Sequence, residues 1–370
     1  MTSISKFIID GSVLEGGGQI LRNSIALSGL LSKPVSIQKI RNGRQQPGLK
    51  NQHRTGLELA AAIASAELIG ATNGSTEVHF TPGKSTNSPQ DTTHYEADSV
   101  TAGATTLLLQ ISLPLLIFGS KTHTLTLKGG TNATQAPQID YTRHVFLPML
   151  RRFGVPSVQL DIKRRGYFPK GGGELYIQIE PTTAPLHAVK CLERGSVRSI
   201  NGIAHFAGLP GHIGKDMVKG AEDALKEAGY AENEVNIEYK RESNDNTVGA
   251  GSGIVLWAEL DGGGILGASA VGRKGVHASK VGKEAAEGLI RQLDAGGCVD
   301  EWLQDQLIIL MALAEGDSEI LCGRGGLTLH TQTAIWVMEQ LTNAKFDVEE
   351  LPTDHTIIRC KGIGYAPLQG

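Results

Sequence analysis

The 370-residue chain carries 35 basic and 38 acidic residues, a formal charge of −3, which excludes a uniformly basic nucleic-acid coat but leaves room for a local basic site. Its 40% hydrophobic and 20% charged residues describe a folded protein large enough to need no staples, and its 47 glycines show no Gly-X-Y period, so a collagen-like chain is excluded. Aromatics at 5% are too few for a ring-lined single-strand platform, and four cysteines without a CxxC pair exclude a zinc ribbon and point to a reducing compartment.

Residues 6–10 read as a strand and 17–31 as a helix, with Ile20, Leu21, Ile25, Leu27, Leu30 and Leu31 on one face. A strand over 34–40, a helix over 51–69 and a strand over 77–81 follow. Residues 102–118 predict a helix kinked at Pro114. The apolar part of that uncharged stretch is too short to span a bilayer, and the N-terminal apolar run is too short for a signal peptide. Next come a strand at 123–128, a helix at 140–153 and strands at 157–163 and 174–180. The strand-loop-helix rhythm occurs about three times before Pro181 and once more near the C-terminus. It predicts an α/β (α+β) fold whose large domain repeats a β-α unit.

After the linker-like stretch 181–185 the texture changes. A strand at 200–206, a helix at 214–228, a strand at 234–239, a polar loop at 241–246, two strands around 262–264 and a helix ending at 293 predict a smaller inserted α/β unit, 185–293. The larger unit then comprises 1–184 and 294–370. It closes with a helix at 299–314, a strand ending over 327–330, a helix at 331–341 and two strands within 346–360.

Five segments concentrate chemistry. In Glu15-Gly16-Gly17-Gly18-Gln19-Ile20-Leu21-Arg22, glycines allow close backbone approach and a helix start favours an anion. Glu15 could hold a divalent cation beside that anion, and Arg22 falls two turns on; a tight packing turn is the alternative. Residues 39–54 gather Lys39, Arg41, Arg44, Lys50, His53 and Arg54 with no acid, which suits a polyphosphate or nucleic-acid backbone; a solvated basic loop is the alternative. Residues 163–173, KRRGYFPKGGG, join cations to two rings and suit a nucleotide, or else form a bulged hairpin. His330 falls at a helix start, where the dipole favours the neutral, nucleophilic imidazole, with Thr331 as natural N-cap; a structural histidine is the alternative. Trp302 and Gln306 share a helix face and suit a base, or anchor the helix. GRQQPGLK at 43–50 only approaches a P-loop.

These segments, in this order, resemble the RNA 3′-terminal phosphate cyclases: DGSVLEGGGQILR, KIRNGRQQPGLKNQHRTGLE, LKGGTNATQAPQIDYT, RRGYFPKGGGE, GRKGVHASKVGKEAAE, LQDQLIILMALA and LHTQTAI. The likeness runs from about Ile9 to Gly364, in a pattern closer to eukaryotic than to bacterial members. It implies conversion of an RNA 3′-phosphate to a 2′,3′-cyclic phosphate with ATP and Mg2+ or Mn2+, through a histidyl-AMP and an RNA-adenylate. It implies His330 as nucleophile, Glu15 as the metal-associated glutamate, and Arg22, Arg41 and Arg44 around the phosphates. Gln52 and His53 join Arg41 and Arg44 at the RNA phosphate. Gln110, Pro137, Trp302, Asp305 and Gln306 surround the nucleotide. Trp302 stands where many members have tyrosine, so a stacking ring is kept and a phenolic hydrogen bond lost. Leu329 replaces a cysteine found in some bacterial members. The resemblance further implies a large domain like the C-terminal domain of a translation initiation factor, an RNA partner, a homodimer, no membrane, and a nuclear location with the cytoplasm second. Two other readings share the fold. A non-catalytic ribosomal-RNA processing factor would lack the nucleophile, so His330, Glu15 and Arg22 weigh against it. An enolpyruvyl-type transferase leaves the basic loops and His330 unexplained.

Overall fold

The computed structural model describes residues 6–83 and 93–366; positions 1–5, 84–92 and 367–370 of the predicted large unit lie outside them. The first six elements are β1 (Phe7–Asp10), α1 (Gly18–Leu31), β2 (Val35–Gln38), α2 (Asn51–Ile63), β3 (Glu67–Ile69) and β4 (Val78–Thr81). Their sheet runs β1-β2-β4-β3, with β1 parallel to β2 and the other pairs antiparallel. The next set repeats this plan with β5 (His94–Asp98), α3 (Thr105–Ile117), β6 (His123–Gly129), α4 (Ile139–Tyr141), α5 (Leu147–Arg152), β7 (Ser157–Gly166) and β8 (Gly173–Glu180). Again the first two strands are parallel and the other pairs within the repeat antiparallel, in the order β5-β6-β8-β7, and a two-residue strand at Thr247–Val248 joins the sheet as a fifth strand parallel to β7.

A third repeat begins at β9 (Lys190–Cys191) and is interrupted at once. The interrupting unit contains β10 (Val197–Ala207), α6 (His212–Glu227), β11 (Val235–Arg241), β12 (Thr247–Val248), β13 (Gly251–Leu260), β14 (Ile265–Val271) and α7 (Ala278–Ala295). The third repeat resumes with α8 (Glu301–Leu313), β15 (Asp317–Cys322), α9 (Leu329–Leu341), β16 (Lys345–Glu350) and β17 (Thr356–Lys361). Its order is β9-β15-β17-β16, with β9 parallel to β15 and the rest antiparallel. The rhythm expected three times before Pro181 and once after is therefore two whole repeats and a third split by an insertion.

Burial follows this division. One apolar core runs through the three repeats, and a second lies between the sheet β11-β10-β13-β14 and helices α6 and α7. Leu186, Val189 and Cys191 belong to the first core, so the chain leaves the larger unit after Cys191 rather than at 185. All four cysteines are buried and free. Among the described residues no helix is long and apolar enough to cross a membrane.

Several local expectations change. The helix predicted over 51–69 stops at Ile63 because the chain turns at Ser65 (φ 48°) and 67–69 pair with β4. The helix over 140–153 passes through a π turn at Thr142–Phe146, where Pro148 has no N–H to return to the carbonyl of residue 144. No strand occupies 327–330: Gly325 and Gly326 sit at φ 95° and 78°, outside the extended region, and α9 starts at Leu329. Its cap is Thr328, whose hydroxyl accepts from the Thr331 N–H at 3.1 Å, and not Thr331. Within the basic segment 163–173, Arg165 and Tyr167 turn into the core, while Lys163, Phe168 and Lys170 stay exposed. Buried Arg165 grips Asp140 through two bonds, 2.7 and 3.0 Å, and Glu242 at 2.8 Å, while the Tyr167 hydroxyl shares a hydrogen bond with His205 at 2.9 Å.

Candidate functional site

The repeats aim several helix starts into one cleft of about 660 Å³. Gly17 and Gly18 lead into α1, Lys50, Gln52 and His53 open α2, Glu301 and Trp302 open α8, and Thr328 and His330 open α9. The loop 134–137 closes the wall ahead of α4. The α1 start has no side-chain cap and offers its N–H groups and positive potential to a phosphate, whereas Asp300 and Thr328 cap α8 and α9. Every residue that the family resemblance implies lines this same cleft: Glu15, Arg22, Arg41, Arg44, Gln52, His53, Gln110, Pro137, Trp302, Asp305, Gln306 and His330. Two cations of the basic stretch do not line it: Lys39 pairs with Asp10 and Arg54 with Glu58.

His330 is the second residue of α9 and is solvent-accessible. Two buried threonines beside it fix the helix start. The Thr331 hydroxyl reaches Gln304 on α8 at 3.3 Å, and the Thr333 hydroxyl accepts from the Glu15 N–H at 3.1 Å. The imidazole is held below its ordinary pKa, chiefly by partial desolvation within the cleft; Glu15 opposes this, and Arg22 and Arg44 add to it. A neutral ring with a free lone pair is what nucleophilic attack requires.

Around it the charges are arranged in pairs with spare capacity. Glu15 binds Arg44 through Oε1, and Arg44 also donates to the Glu15 carbonyl at 2.8 Å. Glu15 Oε2 is buried without a partner. Among the described residues no three His, Cys, Asp or Glu side chains form a metal cage. A lone carboxylate with a free oxygen nevertheless fits a cation that takes its other ligands from phosphates and water. Arg22 donates to Gln19 Oε1 at 2.5 Å, and its buried Nε has no partner. Gly18 lets the Arg22 guanidinium lie close: a Cβ there would stand 2.7 Å from Arg22 Nη1 and 3.2 Å from His53 Nε2, so a side chain would displace the guanidinium.

Other side chains are partly committed. The Lys50 N–H donates to His53 Nδ1 at 3.1 Å, which leaves Nε2 as the protonated nitrogen. Burial first, then Arg22, Arg41 and Lys50, pull His53 down to about 3, so it is a neutral hydrogen-bond donor and not a base near neutrality. Arg41 (φ 55°) spends Nη1 on the carbonyls of Gln46 and Gly48, each at 2.8 Å, and so braces the basic loop. Gln52 accepts from the Ala104 N–H at 3.3 Å, and Gln306 donates to the Trp302 carbonyl at 2.6 Å. Asp305 is pushed up to about 7 by burial, with Arg22 opposing. Gln19 and Thr333 carry no role from the sequence, and Thr331 only that of a cap. Their signal is polar side chains on the buried faces of otherwise apolar helices.

A family model described as RNA 3′-terminal phosphate cyclase matches residues 13–348. The chain is 41% identical to an RNA 3′-terminal phosphate cyclase of Pyrobaculum neutrophilum, covering 96% of this chain and 99% of that one. It is 41% identical to a probable RNA 3′-terminal phosphate cyclase of Dictyostelium discoideum (98% and 84% covered) and 40% identical to an RNA 3′-terminal phosphate cyclase of Drosophila melanogaster (96% and 96%).

Proposed function

The chain belongs to the RNA 3′-terminal phosphate cyclase family, and from that premise we propose that this ligase closes an RNA 3′-phosphate into a 2′,3′-cyclic phosphate through an adenylated His330. The observation that supports this reading best is the convergence of helix starts, Arg22 and Arg44 around a histidine held neutral.

In the first step a His330 ring nitrogen attacks the α-phosphorus of ATP. A P–N bond forms, the bond to the β-phosphate oxygen breaks, and pyrophosphate leaves. In the second, an oxygen of the RNA 3′-phosphate displaces the imidazole and takes AMP. In the third, the ribose 2′-hydroxyl attacks the 3′-phosphorus, loses its proton to solvent and expels AMP. The work is placement and charge neutralisation, which arginines and the α1 start supply without reorganising. Arg22 and Arg44 meet the phosphates, His53 donates to one of them from Nε2, and Arg41 and Gln52 keep the α2 wall in shape. Trp302 stacks the base, with Gln110, Pro137, Asp305 and Gln306 around it. A divalent cation, Mg2+ or Mn2+, would be held at Glu15, where it neutralises phosphate charge. We carry into this proposal the likeness of the large unit to a translation-factor domain, a homodimer and a nuclear location, all supported by the family resemblance.

The test is incubation of the pure protein with ATP labelled at the α-phosphate and Mg2+, followed by RNA ending in a 3′-phosphate. The expected label is acid-labile, alkali-stable and discharged by the RNA. No label on a folded protein that binds RNA would favour the non-catalytic processing factor. A DNA 3′-phosphate is expected to accept AMP and stop there, since it has no 2′-hydroxyl; a cyclic DNA product would overturn the third step. Glu15→Gln is expected to raise the Mg2+ concentration for half-maximal labelling by roughly tenfold, as loss of a charged ligand requires. An unchanged metal titration would remove Glu15 from the cation site.

A further inference from the structure

None of the side chains lining the cleft comes from the inserted unit, yet two cleft walls are bolted to it. The first bolt is Asp300, a buried carboxylate at the N-cap of α8. Its Oδ1 accepts from the N–H groups of Trp302 and Leu303 at 2.8 and 3.0 Å, so it caps the helix that carries Trp302, Asp305 and Gln306. Its Oδ2 accepts from the Gly267 N–H of β14 at 2.7 Å. The Tyr141 hydroxyl of α4 donates between the two oxygens, at 2.8 and 3.0 Å. One carboxylate therefore joins the α8 wall, the element after the 134–137 wall, and the inserted hairpin.

The second bolt is Gln138, next to cleft-lining Pro137. Its amide donates to the carbonyls of Ala270 at 3.1 Å and Ile254 at 3.4 Å, on both strands of the hairpin β13–β14. The hairpin is shaped to receive these groups. A Cβ at Gly267 would stand 2.6 Å from a Tyr141 ring carbon, and one at Gly253 would stand 2.7 Å from Gln138 Oε1.

We infer that the inserted unit positions the nucleotide walls of the cleft through Asp300 and Gln138, so that a change in β14 alters ATP affinity without touching ATP. This rests on the reading of the cleft as an ATP site. Asp300 acts through α8 and Tyr141 and is a positioning residue.

The two Asp300 oxygens let the tether be cut separately from the cap. Asn is as good an N-cap as Asp. With the Asn oxygen kept at the cap, its NH2 faces the Gly267 N–H, two donors that repel. Asp300→Asn is therefore expected to weaken ATP binding, read by calorimetry, by about tenfold, the order of one charge-assisted hydrogen bond. The labelling rate at saturating ATP should stay within about threefold of wild type, because the start of α9, although bonded to α8 through Thr331 and Gln304, is also held by its Thr328 cap and by the Thr333 bond to the Glu15 backbone. Gly267→Ala, which pushes Tyr141 from the other side, should shift ATP affinity the same way. In the unsubstituted protein ATP should slow hydrogen exchange across 265–271, since coupling between two sites is reciprocal. ATP affinity unchanged in both variants, or no protection of 265–271 in wild type that does bind ATP, overturns the inference. A wild-type protein that binds no ATP instead overturns the functional reading beneath it.

Discussion

His330→Ala is expected to lower covalent labelling from α-labelled ATP to background, a loss of roughly 10⁴-fold or more, as removal of a nucleophile does when no other group can replace it. The fold should survive the change. The His330 side chain is accessible, while the start of α9 is held by the Thr328 cap, the Thr331 bond to Gln304 and the Thr333 bond to the Glu15 backbone. Alanine is also the best helix former. A variant that still labels would remove His330 from the chemistry. Titration gives a second check. Desolvation in the cleft, with Arg22 and Arg44, holds the imidazole below its ordinary value of about 6.5, so in the ATP-free protein the His330 ring should titrate below that pH, read by NMR. His53, near 3, does not titrate near neutrality. Asp305, near 7, lines the cleft and should show in the ATP concentration needed rather than in the saturated rate. A His330 ring that titrates above about pH 6.5 in the ATP-free protein would overturn the electrostatic account of His330.

Many candidate site residues were legible because they occupy loops and first helical turns, where short runs keep their meaning; Gln110 and Asp305, further inside α3 and α8, come from the family resemblance alone. Glu15 and the glycines after it, the acid-free stretch 39–54 and the histidine opening α9 all fall at handovers that place them in the cleft. What stayed illegible depends on distant pairing. The two residues Lys190–Cys191 form a strand only by meeting β15, some 130 positions later, so no local pattern could show where the insertion begins. Thr328 and Thr331 are equally good caps by residue type, and the φ values of Gly325 and Gly326 decide between them. The segment 163–173 shows the limit most clearly. Composition registers a cluster of cations and rings, but not that Arg165 faces carboxylates 25 and 77 positions away. A basic loop that serves a ligand and one that serves the core have the same letters.

That Arg165 cluster carries the largest expected effect on stability. Arg165→Met should destabilise the protein by about 3–5 kcal/mol at pH 8, the usual cost of removing one partner from a buried ion pair. The side chains of Arg165, Asp140 and Glu242 are 3%, 1% and 8% exposed, so water cannot replace the lost guanidinium at either carboxylate. Arg165→Lys should recover little, since a single ammonium cannot make the two parallel bonds to Asp140 while also meeting Glu242. The sign of the pH dependence follows from the same pairing. Asp140 is buried, but Arg165 first and His205 and Arg143 after it hold its carboxyl well below the usual range. Its pairing therefore contributes stability above the unfolded pKa of about 3.9, and that contribution fades as pH falls toward the lower folded value. Without Arg165 the weaker influence of His205 and Arg143 is left against burial, the largest contribution; the folded carboxyl should rise above its unfolded value, and the variant gains stability as it takes up a proton. The gap between wild type and Arg165→Met should then narrow from pH 8 to pH 4 in denaturant titrations, and Asp140→Asn in the Arg165→Met background should restore part of it at pH 8. A difference below about 1 kcal/mol at pH 8, or one that widens on acidification, would mean that Asp140 and Glu242 do not depend on Arg165 for their burial.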